Sequence, residues 1–163
     1  DYLQRETLLQ RQADGSLILI LAMAGIAGLV WLWRERPRLQ SWAPYVVMAG
    51  LTSLLTGKLM SFWQPSEVRP FVERGLEAGA AYIDNPGFPS DHMLLAVIVV
   101  ATVFCLTPYR KTSYVLIILV LAMSVARVLA LVHTPLDMVG GLLAGLAGVV
   151  WYIKRKHDIA EHN

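Results

Sequence analysis

The stretch Arg127-Val128-Leu129-Ala130-Leu131-Val132-His133-Thr134-Pro135-Leu136-Asp137 decides how the chain is read. It joins two apolar runs, 113–132 and 135–153, each close to the ~20 residues a bilayer core requires. An arginine, a histidine and an aspartate fall within this short junction. A charge at the centre of a membrane span costs at least ~2.5–3.5 kcal/mol, so ionisable groups near such depth are functional candidates. Thr134, Pro135 and Asp137 read as N-cap, first helical residue and third helical residue of a helix start. His133 then sits just before the helix. Asp137, four residues on, either reaches back to orient the ring of His133 as a nucleophile or base, or only caps the helix and leaves His133 a loop residue.

Composition supports a membrane setting. The chain has 163 residues, 56% of them hydrophobic and 16% charged, with a mean hydropathy of +0.52. Soluble domains carry about 25% charge. The apolar runs number five: 17–33, 42–63 (interrupted by Lys58), 90–106, 113–132 and 135–153. Each is expected to be a helix, because only internally bonded backbone crosses lipid. The fold class expected is therefore all-α, a polytopic transmembrane bundle with five visible spans. It is read as a single membrane domain: a polar segment 1–15, the bundle 16–153 and a tail 154–163. Gly141 with Gly145, and Ala144 with Gly148, are small-residue pairs that permit close helix packing, within the bundle or between copies.

Topology follows from the basic clusters. Arg34, Arg36 and Arg38, then Arg110 and Lys111, then Lys154, Arg155 and Lys156 alternate onto one side, which the positive-inside rule makes cytoplasmic. Trp31, Trp33, Trp42, Tyr109, Tyr114, Trp151 and Tyr152 gather at that edge as an aromatic belt. The clusters need no anionic partner, and a net charge of +2 gives no reason to expect nucleic acid. His157 and His162 read as solvated tail residues. The N-terminus is placed outside, which suggests a preceding span absent from this sequence. Residues 1–15 are expected to form a short amphipathic surface helix, with Tyr2, Leu3, Leu8 and Leu9 on its apolar face, or a solvated tail. The long loop 64–89 lies outside. It carries the turn Asp84-Asn85-Pro86-Gly87, and a short surface helix is expected over 71–82. Cys105, the one cysteine, forms no disulfide within the chain.

With that topology, ionisable residues scattered through the sequence converge on the outer ends of four helices. Lys58 lies about one turn from the end of the second span and Arg69 opens the outer loop. Pro89-Ser90-Asp91-His92 begins the third span. Arg127 ends the fourth, and His133 and Asp137 begin the fifth. Three cations can surround a phosphate, arginine doing so bidentately. Two helix N-termini add free N–H donors, and two histidines can share attack and proton transfer. No His or Cys grouping has metal-ligand spacing, and no phosphate-binding loop or dinucleotide fingerprint is present. Taken singly, Lys58 could snorkel, Ser90 and Asp91 could be plain caps, and Arg69 a surface charge. All of them together, at one end of four helices, favour a site.

These residues resemble the type-2 phosphatidic acid phosphatase superfamily of membrane lipid phosphatases. Its motifs are Lys-x6-Arg-Pro, Pro-Ser-Gly-His and Ser-Arg-x5-His-x3-Asp. The third matches Ala126-Arg127…His133…Asp137, the second Pro89-Ser90-Asp91-His92, and the first Lys58 with Arg69-Pro70. The resemblance covers about residues 50–153. It implies His133 as the nucleophile of a phosphohistidine, Asp137 as its orienting partner and His92 as general acid. It implies that Lys58, Arg69, Ser90, Asp91 and Arg127 line the phosphate site, with no metal and no cofactor. Ala126 stands in place of serine, Asp91 in place of glycine, and the lysine–arginine spacing is four residues longer. The form Phe-Pro-Ser-Asp-His looks like the bacterial undecaprenyl-diphosphatase branch. The implied activity is removal of one phosphate from a polyprenyl diphosphate on the outer face of the bacterial cytoplasmic membrane. Phosphatidylglycerophosphate or phosphatidic acid is the alternative substrate. A non-catalytic lipid-phosphate-binding membrane protein is the rival class, although such a protein is expected to have lost His92, His133 or Asp137. Members usually have six spans, which matches the suspected missing helix.

Overall fold

The computed structural model describes residues 2–34, 36–64, 68–80 and 87–161. Among them the regular structure is helical throughout. In order the helices are α1 (Tyr2–Arg34), α2 (Arg36–Trp63), α3 (Pro70–Glu73), α4 (Asp91–Leu106), α5 (Arg110–Leu129), α6 (Pro135–Ala147) and α7 (Val149–Glu161). Ser41–Trp63, Arg110–Leu129 and Pro135–Asp158 are long and apolar enough to cross a bilayer, and Ile18–Trp31 and Asp91–Leu106 are shorter apolar helices. These are the five expected segments. Exposed Ile, Leu and Val side chains on α1, α2, α5 and α6, such as Ile26, Leu55, Ile118 and Leu143, face outward. Contiguous apolar surface on this scale belongs against lipid, so the fold is a membrane helix bundle.

The centre of the bundle is α4, which packs against α1, α2, α5 and α6. Its buried Met93, Ala96, Val97, Val100 and Val103 join Ile20, Ala24 and Ala27 of α1 and Leu116, Val120 and Met123 of α5 in one core. Surrounded by protein, α4 does not need full spanning length. Glycines set its distance from α6. A Cβ on Gly141 would stand 2.6 Å from the Ser90 carbonyl oxygen, and one on Gly145 would stand 2.6 Å from Val97 Cβ. The small-residue face of α6 is thus packed on α4 within one chain.

Two expectations are corrected. The polar start is neither a separate surface helix nor a tail: α1 runs unbroken from Tyr2 to Arg34. Glutamine, arginine, glutamate and alanine are good helix formers, and they carry the helix through the polar segment. At 33 residues it is about 50 Å long, more than the ~30 Å hydrocarbon core. The helix expected over 71–82 is a single turn, Pro70–Glu73; positions 81 and 82 fall outside the described residues. Gly75 stops it in the left-handed conformation (φ 63°), with Leu76 N–H bonded to Phe71 O at 2.9 Å. The fifth segment is a single span, as expected, with one local interruption between α6 and α7. Gly148 interrupts it, and Ser53 of α2 repairs the break: its hydroxyl donates to Gly145 O (2.9 Å) and accepts from Gly148 N–H (3.1 Å). Hydroxyl side chains commonly re-satisfy broken backbone inside membranes.

The basic ends meet one another. Tyr45 of α2 donates to Asp158 of α7 at 2.9 Å, and the Arg155 guanidinium lies over the Trp42 and Tyr45 rings. Arg110, at the start of α5, bonds the Phe104 carbonyl near the end of α4. The opposite end holds the polar cluster described next.

Candidate active site

The site is built on two helix starts and one tight turn. Thr134 caps α6 through a reciprocal box: its hydroxyl accepts from Asp137 N–H (3.2 Å) while Asp137 Oδ2 accepts from Thr134 N–H (2.7 Å). The same Oδ2 lies 3.3 Å from His133 Nδ1. Both sequence alternatives for Asp137 therefore hold at once, as cap and as partner of the ring. A carboxylate only accepts, so this contact places the proton on Nδ1 and the lone pair on Nε2.

Nε2 points at Ser90. The Ser90 hydroxyl is 3.3 Å away and also accepts from Met93 N–H (3.5 Å), as the N-cap of α4. Ser90 N–H donates to the Asp137 carbonyl oxygen at 3.0 Å, so the two helix starts are bonded through their backbones. His133 is 4% exposed and Ser90 is fully buried. Asp91 and His92 occupy the first turn of α4, half-buried.

Two arginines complete the cluster. Arg127, in the last turn of α5, is fully buried. Arg69 donates from Nη1 to the Val132 carbonyl oxygen at 2.7 Å, one residue before His133. The His133 pKa lies below its ordinary value of 6.5. Burial is the main cause, and the charges of Arg127 and Arg69 add to it; the hydrogen bond to Asp137 opposes them. The imidazole is therefore held neutral, with a free lone pair, at neutral pH. Lys58 stands apart as an exposed residue of α2, although its neighbour Gly57 lies against Pro89. Among the described residues no group of three or more His, Cys, Asp or Glu could hold a metal ion.

Several supporting features are not visible in the sequence. Leu131 takes a left-handed conformation (φ 58°), uncommon for a residue other than glycine, and turns the chain sharply from α5 into His133. Its carbonyl accepts from Phe71 N–H (3.1 Å), which fastens the outer loop to the turn. Phe71, Ala80, Ala126, Ala130 and Val132 form a small core beneath that loop. Gly87 comes so close that a Cβ there would lie 3.7 Å from Asp137 Oδ2.

The approach of α6 to α4 makes a test of this architecture. In Gly141→Val the new side chain would meet the Ser90 carbonyl and Met93 Cβ, at 2.6 and 2.8 Å from its Cβ alone. The helices must part and draw Ser90 from His133. A displacement of about 1 Å in a reacting geometry costs on the order of 100-fold in rate. For the phosphatase activity that the motif resemblance implies, that loss is the expected kcat result, measured with a soluble phosphate ester on protein that still elutes as a folded species. A valine variant of wild-type rate would show that the Ser90–His133 distance does not matter.

Fold and site together define an integral-membrane helix bundle with one histidine-centred polar site at the end away from its basic loops. The chain belongs to the PAP2 superfamily, whose family model matches residues 15–159. It is 31% identical over 129 residues to the bacitracin transport permease protein BcrC of Bacillus licheniformis, covering 76% of this chain and 61% of that protein. It is 30% identical over 138 residues to the putative undecaprenyl-diphosphatase YbjG of Escherichia coli (strain K12), covering 82% and 68%. The chain thus spans roughly two thirds of the length of these relatives. No solved structure matches it significantly.

Proposed function

We propose that this protein is a membrane lipid phosphatase acting on a polyprenyl diphosphate of the undecaprenyl class, through a phosphohistidine on His133. The observation that carries the proposal is the ring of His133. It is buried and held neutral, oriented by Asp137 at Nδ1, and faces Ser90 at Nε2 beside two arginines. In the first step Nε2 attacks the terminal phosphorus. The bond from that phosphorus to the bridging oxygen breaks, and His92 protonates the departing lipid monophosphate. In the second step His92 takes a proton from water, whose oxygen attacks phosphorus. The P–N bond breaks and orthophosphate leaves. Arg127, Arg69 and Ser90 neutralise charge on the equatorial oxygens. Lys58, exposed on α2, and Asp91, in the first turn of α4, are assigned to the phosphate site by the motif resemblance. Each pre-aimed donor of this kind is typically worth ~2.7–4 kcal/mol in a transition state.

The likeness to the putative undecaprenyl-diphosphatase of Escherichia coli supports a diphosphate over a glycerol-based monoester, and so does the number of cations at the site. Phosphatidylglycerophosphate and phosphatidic acid are the second substrates to test. Residues 1–163 serve as one membrane domain in this proposal. The basic loops support a reaction on the outer face of the cytoplasmic membrane, opposite the end where Arg155 and Arg110 lie.

The deciding experiment is phosphate release by the purified protein from a panel of prenyl diphosphates and glycerol-based monoesters, with and without a chelator. The expected result is the highest kcat/KM for the prenyl diphosphate, with activity retained in the chelator. Preference for a monoester would transfer the same residues to the second substrate class. No release from any ester would leave a lipid-phosphate-binding protein. An impermeant thiol reagent should label Glu77→Cys from outside intact cells; labelling only after lysis would reverse the topology.

A further inference from the structure

A groove of about 360 Å³ runs between α4, α5 and the α6–α7 span. Met93, Val97 and Val100 of α4 form its buried floor, and the exposed side chains of Phe104, Leu121 and Leu146 form its lips. Every lining residue is apolar or, for Cys105, a thiol. Along α4 it extends from Met93 to Cys105, twelve residues or about 18 Å at 1.5 Å per residue.

Where the groove begins is what identifies its occupant. Met93 bonds its backbone N–H to the Ser90 hydroxyl, which meets His133 Nε2. On the facing helix Leu142 lines the groove, next to Gly141, which packs on the Ser90 carbonyl. The upper end of the groove thus lies one helical turn from Ser90, with Met93 lining the groove and bonding the Ser90 hydroxyl through its backbone. From there it descends through the apolar layer, with its lips on the lipid side. A second cavity of about 300 Å³, between α1 and α5, is lined by Tyr109 and Thr112 at the basic end, away from Ser90.

We infer that the α4–α5–α6 groove is the subsite for the head-proximal part of the substrate's hydrocarbon chain. The inference rests on the proposed lipid phosphatase activity and adds to it the place where the tail is selected. A phosphate held at His133 leaves its ester oxygen near the start of α4. Beyond Met93 the chain can then follow the floor of the groove, whose lining is apolar apart from the Cys105 thiol. Its volume falls in the range of small-ligand sites and is too small to enclose a long polyprenyl tail. The first units are therefore bound by protein and the remainder stays in the bilayer.

Two measurements test this. The first uses wild-type protein and a non-hydrolysable prenyl methylenebisphosphonate carrying a diazirine in its head-proximal units. After photolysis and peptide mapping, adducts are expected on α4 and α5 within 93–105 and 117–121. Adducts confined to α1 or α2 would overturn the assignment, whether or not the protein proves to be a phosphatase. The second uses Val100→Phe, which fills the floor, and Leu146→Trp, which narrows the lip. KM for the prenyl diphosphate should rise about tenfold or more, as mismatched apolar pockets do, while kcat/KM for a water-soluble aryl phosphate stays unchanged. Parallel loss on both substrates, or loss on neither, would overturn it. If neither variant folds, the adduct map decides alone. Absence of phosphate release by wild type from both the prenyl diphosphate and the aryl phosphate would instead reject the phosphatase activity itself.

Discussion

His133→Ala is expected to lower turnover of the lipid substrate by about 10⁴-fold or more, the scale of losing a covalent nucleophile. The ring combines a free lone pair at neutral pH with a partner, Asp137, that fixes its tautomer. Removing it should leave the fold in place. The Thr134–Asp137 box and the backbone bond from Ser90 to Asp137 do not involve the ring, and they hold the two helix starts together. The checks are phosphate release per folded molecule, and loss of the acid-labile phosphoprotein that wild type should give when quenched during turnover. His92→Ala provides the contrast. It should slow the lipid reaction strongly and largely spare an activated aryl phosphate, whose leaving group needs no proton. A His133→Ala protein with near wild-type turnover would remove the phosphohistidine from the mechanism. Equal losses on both substrates in His92→Ala would make His92 a binding residue.

The helix inventory was legible because spanning length is a local property. A run of apolar residues declares itself without knowledge of its neighbours. The clustering of Ser90, His133 and Asp137 was legible for a related reason. Topology assigns every second loop to the same side, so residues at those helix ends must gather there. What could not be read depended on distant partners. The break at Gly148 is tolerated because Ser53, 95 residues away, supplies its hydrogen bonds. The surface helix over 71–82 fails because Gly75 turns left-handed and Gly79 lies against Ala130, where a Cβ would stand 2.8 Å from its carbonyl oxygen. The left-handed Leu131 carries no sequence signal, since leucine ordinarily avoids that conformation. Arg69 is tied to the Val132 carbonyl, a bond that motif spacing does not reveal, whereas Lys58, equally prominent in the sequence, is exposed.

Arg127→Gln is the second variant with a large expected effect, on the order of 10³-fold in kcat. The guanidinium is fully buried one turn before the junction that carries His133. A charged donor in a dry site acts on a phosphoryl group far more strongly than it would in water. Arg127→Lys keeps the charge but loses the planar fork, so a smaller loss, about 10²-fold, is expected. The pH profile separates a chemical role from a packing defect. The Arg127 charge disfavours the imidazolium and helps hold the His133 pKa below 6.5. The neutral ring is the reactive form, so kcat/KM falls as pH drops through that pKa. Wild type should therefore keep activity to a pH below 6.5. Without the Arg127 charge the pKa rises, and the acid limb of Arg127→Gln should move to higher pH. Arg127→Lys should leave the limb where it is. A general packing defect would lower both variants without moving either limb. That outcome would leave Arg127 as a structural residue and pass the phosphate contacts to Arg69 and Ser90.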